Sequence, residues 1–265
     1  MVKSLLLAIA LPAILSVALY AQQYPGEEEL QANPGRPTLS TPATLSPVGY
    51  LQFESGVLTA RHSPEFSSQS NINEVIKLSF TRRLQLLASF QPVVGYRIDR
   101  PPVITGISAV SAGLQAVLYP GQGPRPTVSI SYTRGIYGGS PPDFDIGSPL
   151  NSVLLLISAD VKKFHYDVNL FANDVKQNRA HRPQFGQSLS VSRALAPKVQ
   201  LVGELYYFTQ PFLHARAATS LWALSYSPSK LLVFDGGFSH GLTATSTRWQ
   251  VFVGFTYLLP HQLWR

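Results

Sequence analysis

Residues 248–258 read Arg248-Trp-Gln-Val-Phe-Val-Gly-Phe-Thr-Tyr-Leu258, and this stretch decides the fold that the sequence predicts. Every second residue from Trp249 to Tyr257 is apolar, while the residues between them are mixed and include Gln250 and Thr256. A period of two is typical of a β-strand, because successive side chains point to opposite faces. In a soluble protein the apolar face would need a second layer over it. A membrane barrel instead turns that face to lipid and places aromatic residues at the two interfaces.

The composition of the chain agrees with a membrane barrel. Only 13% of the 265 residues are charged and 45% are hydrophobic, whereas about a quarter of the residues of a soluble domain are charged. Outside the N-terminus, no window offers the roughly 20 unbroken apolar residues of a spanning helix. The length suits one domain. The chain contains no cysteine, which excludes disulfides, thiolate metal sites and cysteine nucleophiles.

The N-terminus has the pattern of a secretory signal peptide over residues 1–21. Lys3 supplies the positive start, residues 5–19 form an apolar core, and Ala21 precedes the most favourable cleavage point. The alternative is a single anchoring helix, but the apolar core is short and no basic flank follows it. Residues 22–47 are rich in proline, which lacks a ladder donor, so they cannot pair as a central strand. This segment is predicted to be a disordered periplasmic lead-in or a plug that folds back and narrows the lumen.

From Val48 onward, residues 48–265 repeat one rhythm of about ten alternating residues followed by a turn or loop. Twelve runs show it, at 48–60, 72–81, 84–96, 107–119, 127–137, 152–160, 164–174, 185–193, 198–209, 218–227, 231–239 and 248–258. Short connections at 81–83, 160–163, 194–197 and 227–230 alternate with longer ones at 61–71, 98–105, 138–152, 175–183, 210–217 and 240–247. Short periplasmic turns and longer external loops are typical of outer-membrane barrels. The sequence therefore predicts an all-β protein, a single antiparallel transmembrane β-barrel of about 12 strands in the cell outer membrane.

Polar residues on the non-apolar parity of these runs are predicted to face the lumen. The candidate lumen-lining residues are Glu54, Lys77, Gln85, Gln115, Asp167, Glu204, Asp235 and Gln250. A charge inside a barrel needs water or a partner. The charged members therefore predict either a wet path or ion pairs across the lumen that hold the barrel rigid.

The net charge of +7 does not predict a nucleic acid partner. The cations are scattered over the short connections instead of forming one stripe, and such cations at a membrane rim can face anionic lipid headgroups. Outer-membrane lipid, a small-molecule solute and the barrel-assembly machinery are the partners expected of such a barrel.

No group of residues predicts catalysis or a metal site. His165 and Asp167 share a strand face and serines are abundant, so an outer-membrane hydrolase is conceivable, but no Gly-x-Ser-x-Gly motif is present. Asp143 and Asp145 begin like a calcium loop whose remaining ligands are absent. We therefore predict no cofactor, no metal and no enzymatic activity. A structural or adhesive barrel that displays its external loops is the other alternative.

Several short motifs resemble those of a known family. They are Gly49-Tyr-Leu-Gln-Phe-Glu-Ser-Gly56 with the arginine-linked hairpin after it, Val202-Gly-Glu-Leu205, Phe234-Asp-Gly-Gly-Phe238 and Trp249-Gln-Val-Phe-Val-Gly-Phe-Thr256. Together they resemble the bacterial outer-membrane family of transporters of the phenol meta-cleavage pathway. The resemblance implies a channel for the passive passage of small molecules, hydrophobic or aromatic ones among them.

Overall fold

A computed structural model describes residues 30–98, 104–106, 108–138, 149–177 and 180–264. The predicted signal peptide, the first part of the proline-rich segment and the loop that contains Asp143 and Asp145 lie outside the described residues. In the described part of the chain, no helix has the length and hydropathy needed to cross a membrane.

Fourteen strands of the described chain form one antiparallel sheet. They are β1 (Tyr50–Arg61), β2 (Ser68–Thr81), β3 (Leu84–Phe90), β4 (Val94–Arg97), β5 (Ile104–Gly106), β6 (Ala109–Tyr119), β7 (Thr127–Gly138), β8 (Pro149–Val161), β9 (Phe164–Gln177), β10 (Ala180–Ala196), β11 (Val199–Gln210), β12 (Ala215–Ser229), β13 (Leu232–Gly241) and β14 (Trp249–Gln262). Because β1 pairs with both β2 and β14, the sheet closes on itself. The predicted closed antiparallel barrel is confirmed.

The fourteen strands fill twelve positions around the ring, because β3 and β4 share one position and β5 and β6 share the next. β3 pairs with the second half of β2 and β4 pairs with its first four residues. On the next position of the ring, β6 pairs with β3 and β5 pairs with β4. Pro92 lies in the break between β3 and β4, where its missing N–H cannot serve a continuous ladder. The single strand predicted over 84–96 is therefore divided.

Side-chain alternation separates an apolar outer face from a polar inner face. On β14, Val251 and Val253 are 58% and 59% exposed, whereas Gln250 and Thr256 are buried. Exposed apolar side chains outside a ring and buried polar ones inside it are the reverse of a soluble domain, and they suit a barrel surrounded by hydrocarbon.

Several strands extend beyond their predicted ends on the side of the long loops. β9 continues to Gln177 and β10 starts at Ala180, so the loop predicted over 175–183 is mostly strand, and Pro183 pairs with Asp174. The prediction was wrong there because both faces of this stretch are polar, and hydrophobic periodicity cannot detect such a strand.

Residues 30–47 lie within the ring and are called the inserted segment below. Ala32 N donates to Lys230 O in the short turn between β12 and β13. Val48, directly after the segment, forms a bridge with Ser79 close to the turn between β2 and β3. Both turns lie at the short-connection end of the barrel, so the inserted segment enters the ring and leaves it at the same end.

Candidate functional site: the barrel interior

All eight predicted lumen-lining residues lie on the inner face of the ring. Each of Glu54, Lys77, Gln85, Gln115, Asp167, Glu204, Asp235 and Gln250 is at most 8% exposed. Most of them contact the inserted segment or each other. Their participation in the passage of a solute stays a prediction.

Glu54 and Lys77 form an ion pair on neighbouring strands of the inner face. The distance from Lys77 Nζ to Glu54 Oε1 is 2.5 Å, and both side chains are almost completely buried. The same oxygen accepts hydrogen bonds from Gln52 Nε2 and from Gly35 N of the inserted segment, each of 2.9 Å. The pair therefore joins adjacent strands instead of crossing the lumen, and it also helps to hold the inserted segment.

Arg36 of the inserted segment occupies a slot formed by Asp235, Gly56 and Gly254. Its Nε and Nη2 atoms donate to Asp235 Oδ2 and Oδ1 over 3.2 and 3.0 Å. Gly56 and Gly254 pair with each other across β1 and β14. A Cβ atom on Gly56 would lie only 2.4 Å from the guanidinium carbon of Arg36, and one on Gly254 would lie 2.6 Å from Arg36 Nε and Nη2. Because a bidentate pair is strong and geometrically specific, this slot fixes the position of the segment.

Glu204 holds the inserted segment through three further hydrogen bonds. Its carboxylate accepts from Leu39 N over 2.8 Å, from Ser40 N over 2.6 Å and from Ser40 Oγ over 2.5 Å. Among the described residues no cation forms an ion pair with Glu204. The donors of the inserted segment therefore provide the stabilisation that a buried carboxylate requires.

The returning part of the segment, residues 41–46, bonds its backbone to inner-face side chains. The pairs are Thr41 N to Asn169 Oδ1 (2.6 Å), Ala43 N to Ser158 Oγ (2.7 Å), Ser46 N to Gln85 Oε1 (2.8 Å) and Gln115 Nε2 to Pro42 O (3.0 Å). Buried backbone groups need such partners when no neighbouring strand supplies them. The polar inner face is thus arranged to hold an extended peptide.

A cavity of about 410 Å³ lies on the long-loop side of the inserted segment. Residues 36–39 form its floor. One wall is apolar and includes Leu58, Leu221 and Phe252, and the other is polar and includes Asn71, Asn73 and Gln91. The described part of the barrel interior therefore holds both the inserted segment and a cavity large enough for a small molecule.

His165 does not have the contacts of a catalytic base. Its Nδ1 lies 2.7 Å from Asp160 Oδ1 and its Nε2 lies 3.2 Å from Asp167 Oδ1. Ser158 donates to Asp167 instead of to the imidazole. Because both ring nitrogens contact carboxylates, neither one is placed to activate a serine. In the part of the chain that the structure describes, no group of three or more His, Asp or Glu side chains is placed to bind a metal ion.

Arg36, Ser40 and the paired glycines of the slot were not predicted from the sequence. Parity identified residues on strands, but the inserted segment has no periodicity for such an argument. One feature of the sequence could have pointed to Arg36, because it is the only Lys or Arg among residues 22–47. Gly56 and Gly254 were a second signal, because both stand on the inner-face parity of their strands, where a glycine permits close approach.

The geometry defines a closed antiparallel barrel with an apolar exterior and a peptide-filled polar interior. A comparison of the sequence with known protein families and with curated proteins finds no match. Among solved structures, the chain is similar to the COG4313 outer membrane channel from Pseudomonas putida F1, with a TM-score of 0.60, 12% identity and coverage of 86% of this chain and 100% of that one. It is also similar to the NanC porin, with a TM-score of 0.54, 8% identity and coverage of 78% and 100%. At these identities the likeness concerns the fold.

Proposed function

We propose that this protein is an outer-membrane channel for the passive passage of small molecules. The observation that most directly supports this proposal is the closed ring, with exposed apolar side chains outside and buried polar side chains inside. Such a ring satisfies its backbone hydrogen bonds internally, as a membrane requires. The likeness in fold to an outer membrane channel and to a porin supports this proposal. The ring closes where β1 pairs with β14, and the barrel-assembly machinery is among the partners that we propose.

In this proposal the inserted segment is a plug that closes the short-connection half of the lumen. The slot around Arg36 and the three donors to Glu204 hold the plug in place. A solute that enters the cavity on the long-loop side reaches a floor formed by residues 36–39. Passage therefore requires the plug to shift, and the eight lumen-lining residues would then border the path.

The solutes we propose are small molecules with hydrophobic or aromatic groups. The apolar wall of the cavity, with Leu58, Leu221 and Phe252, supports this choice, because apolar lining favours apolar solutes. Solutes of this kind agree with the resemblance to transporters of the phenol meta-cleavage pathway. Membership of that family is part of the proposal.

Planar-bilayer recordings test the channel and its plug together. The wild-type protein should produce discrete conductance steps. The double variant Asp235→Asn, Glu204→Gln weakens both attachments of the plug and should conduct more, with reduced preference for cations because two inner carboxylates are removed. Asp160→Asn is the control, because Asp160 lies at the short-connection rim and its side chain is 63% exposed. A silent bilayer at high protein load for wild type and double variant alike would overturn the proposal.

A further inference from the structure

Two arginines flank one serine on the barrel wall at the long-loop end. Arg61 is the last residue of β1 and Arg97 is the last residue of β4, and each pairs directly with Ser68, the first residue of β2. We call these three residues the outer row. Adjacent strands lie about 4.8 Å apart, so the two arginine Cα atoms are roughly 10 Å apart.

The outer row points away from the lumen. Gln69 and Asn71, which alternate with Ser68 and Ser70 along β2, are buried on the inner face, and directly paired residues share a face. Trp249 continues the row on β14, because it pairs with Arg61, and it is 45% exposed. Trp249 is the first residue of β14, and a tryptophan at the end of a barrel strand is typical of the headgroup level. The two guanidinium groups therefore lie at that level.

The outer face changes from apolar to cationic over a short distance towards this row. Val57 and Ile72 pair with each other, and Val57 is 46% exposed. Next come Thr59 and Ser70, whose hydroxyl oxygens are 3.0 Å apart. The outer row follows. An arginine in this position can rest its stem on apolar surface and place its charged end among the headgroups.

Neither arginine of the outer row forms an ion pair with another described residue. In contrast, Arg36 is paired with Asp235, and Arg193 lies over the ring of Phe164. Two unpaired guanidinium forks on either side of a hydroxyl group are suited to a phosphate group, which accepts bidentate hydrogen bonds.

We propose that Arg61, Ser68 and Arg97 form a binding site for the phosphate group of an outer-leaflet glycolipid. The proposal rests on the proposed outer-membrane location. The ligand is a lipid and not a free phosphate ion, because the outer row lies on the membrane-facing side directly beyond the apolar belt. Bound lipid would cover the wall where β3 gives way to β4.

Lipid binding to the purified full chain in detergent tests the site. The probes are diphosphorylated lipid A, lipid A with its phosphates removed, and inorganic phosphate, each measured by native mass spectrometry. Wild-type protein should bind the diphosphorylated lipid in preference to both other probes. The double variant Arg61→Gln, Arg97→Gln should bind it about tenfold more weakly or worse, since each basic residue adds attraction to anionic headgroups.

Arg134→Gln is the matched control, because Arg134 is also an exposed arginine on a strand but pairs with Ala112 and Asn151. It should bind the lipid as wild type does. The single variant Arg97→Gln provides a milder test if the double variant does not fold, which heat-dependent mobility on a gel reveals. Equal lipid binding by wild type and the double or single variant would overturn the site. Equal binding of dephosphorylated lipid A or of inorganic phosphate would overturn the assignment to a lipid phosphate.

Conductance separates this inference from the proposed function. The double variant should conduct like wild type, because both arginines lie outside the lumen. Wild-type protein that conducts but does not bind the diphosphorylated lipid would contradict the lipid site alone.

Discussion

At the scale of single residues, the inserted segment is held where two glycines leave room for one of its side chains. Gly56 and Gly254 leave room for the guanidinium of Arg36 against β1 and β14, and Asp235 supplies its charge partner. Parity arguments could predict Asp235 because it lies on a strand. They could not predict Arg36, whose role depends on a segment without a repeating pattern.

Gly56→Ala should loosen the plug. The added methyl group would lie 2.4 Å from the Arg36 guanidinium and displace it. Loss of one charged hydrogen-bonded pair costs about 1.5–3 kcal/mol, which corresponds to about a tenfold or larger shift in favour of the displaced plug. Single-channel recordings should show more frequent or larger openings.

Gly236→Ala is the control for this variant. It adds the same methyl group on the neighbouring strand β13, where the nearest side-chain atom is 3.4 Å away. Openings that increase equally in both variants would mean that the slot does not hold the plug.

Lys77→Met should destabilise the barrel more than removal of the whole ion pair. The single variant leaves Glu54 buried without a counter-charge, which costs about 3–5 kcal/mol. The double variant Glu54→Gln, Lys77→Met removes both charges and should recover much of that free energy of unfolding. Urea unfolding in lipid vesicles measures both. The burial of the pair indicates that both charges are removed from water. Equal stabilities for the single and double variants would contradict this.

At the scale of elements, alternation predicted the strands wherever one face is apolar and the other is polar. It failed where that contrast ends. The extra length of β9 and β10 has polar residues on both faces, and the break at Pro92 depends on how β2 exchanges one partner for another. The position of the inserted segment could not be predicted either, because its contacts are largely made by backbone groups, and every residue type except proline carries the same N–H donor.

Thiol labelling can test whether the segment stays in the barrel. The natural chain has no cysteine, so one introduced thiol reports on one position. Ala43→Cys places it at a site with no exposed surface, and it should react with a water-soluble maleimide about tenfold more slowly or worse than Ala244→Cys in the exposed loop before β14. The double variant Gly56→Ala, Ala43→Cys should react faster than Ala43→Cys alone. Equal rates at positions 43 and 244 in the otherwise unchanged chain would contradict a seated plug.

At the scale of the whole molecule, the barrel joins three environments. Exposed apolar side chains cover the outside, polar side chains hold the inserted segment inside, and a cavity lies on the long-loop side of that segment. Composition and loop lengths predicted the closed ring, since both are properties of the chain as a whole. The position of the inserted segment within the lumen could not be predicted from composition and loop lengths, because it depends on individual contacts such as those of Arg36 and Glu204.

Lipid contact of the outer face is the claim on which the channel depends, and fluorescence of Trp222 measures it most directly. Trp222 is 50% exposed on the apolar face of β12. With the other two tryptophans of the chain replaced (Trp249→Phe, Trp264→Phe), the protein is reconstituted in vesicles of phosphatidylcholine with or without bromine on the acyl chains. We expect brominated chains to quench the emission strongly, because the indole would contact them. Equal emission in the two kinds of vesicle would contradict a membrane-spanning barrel and with it the channel.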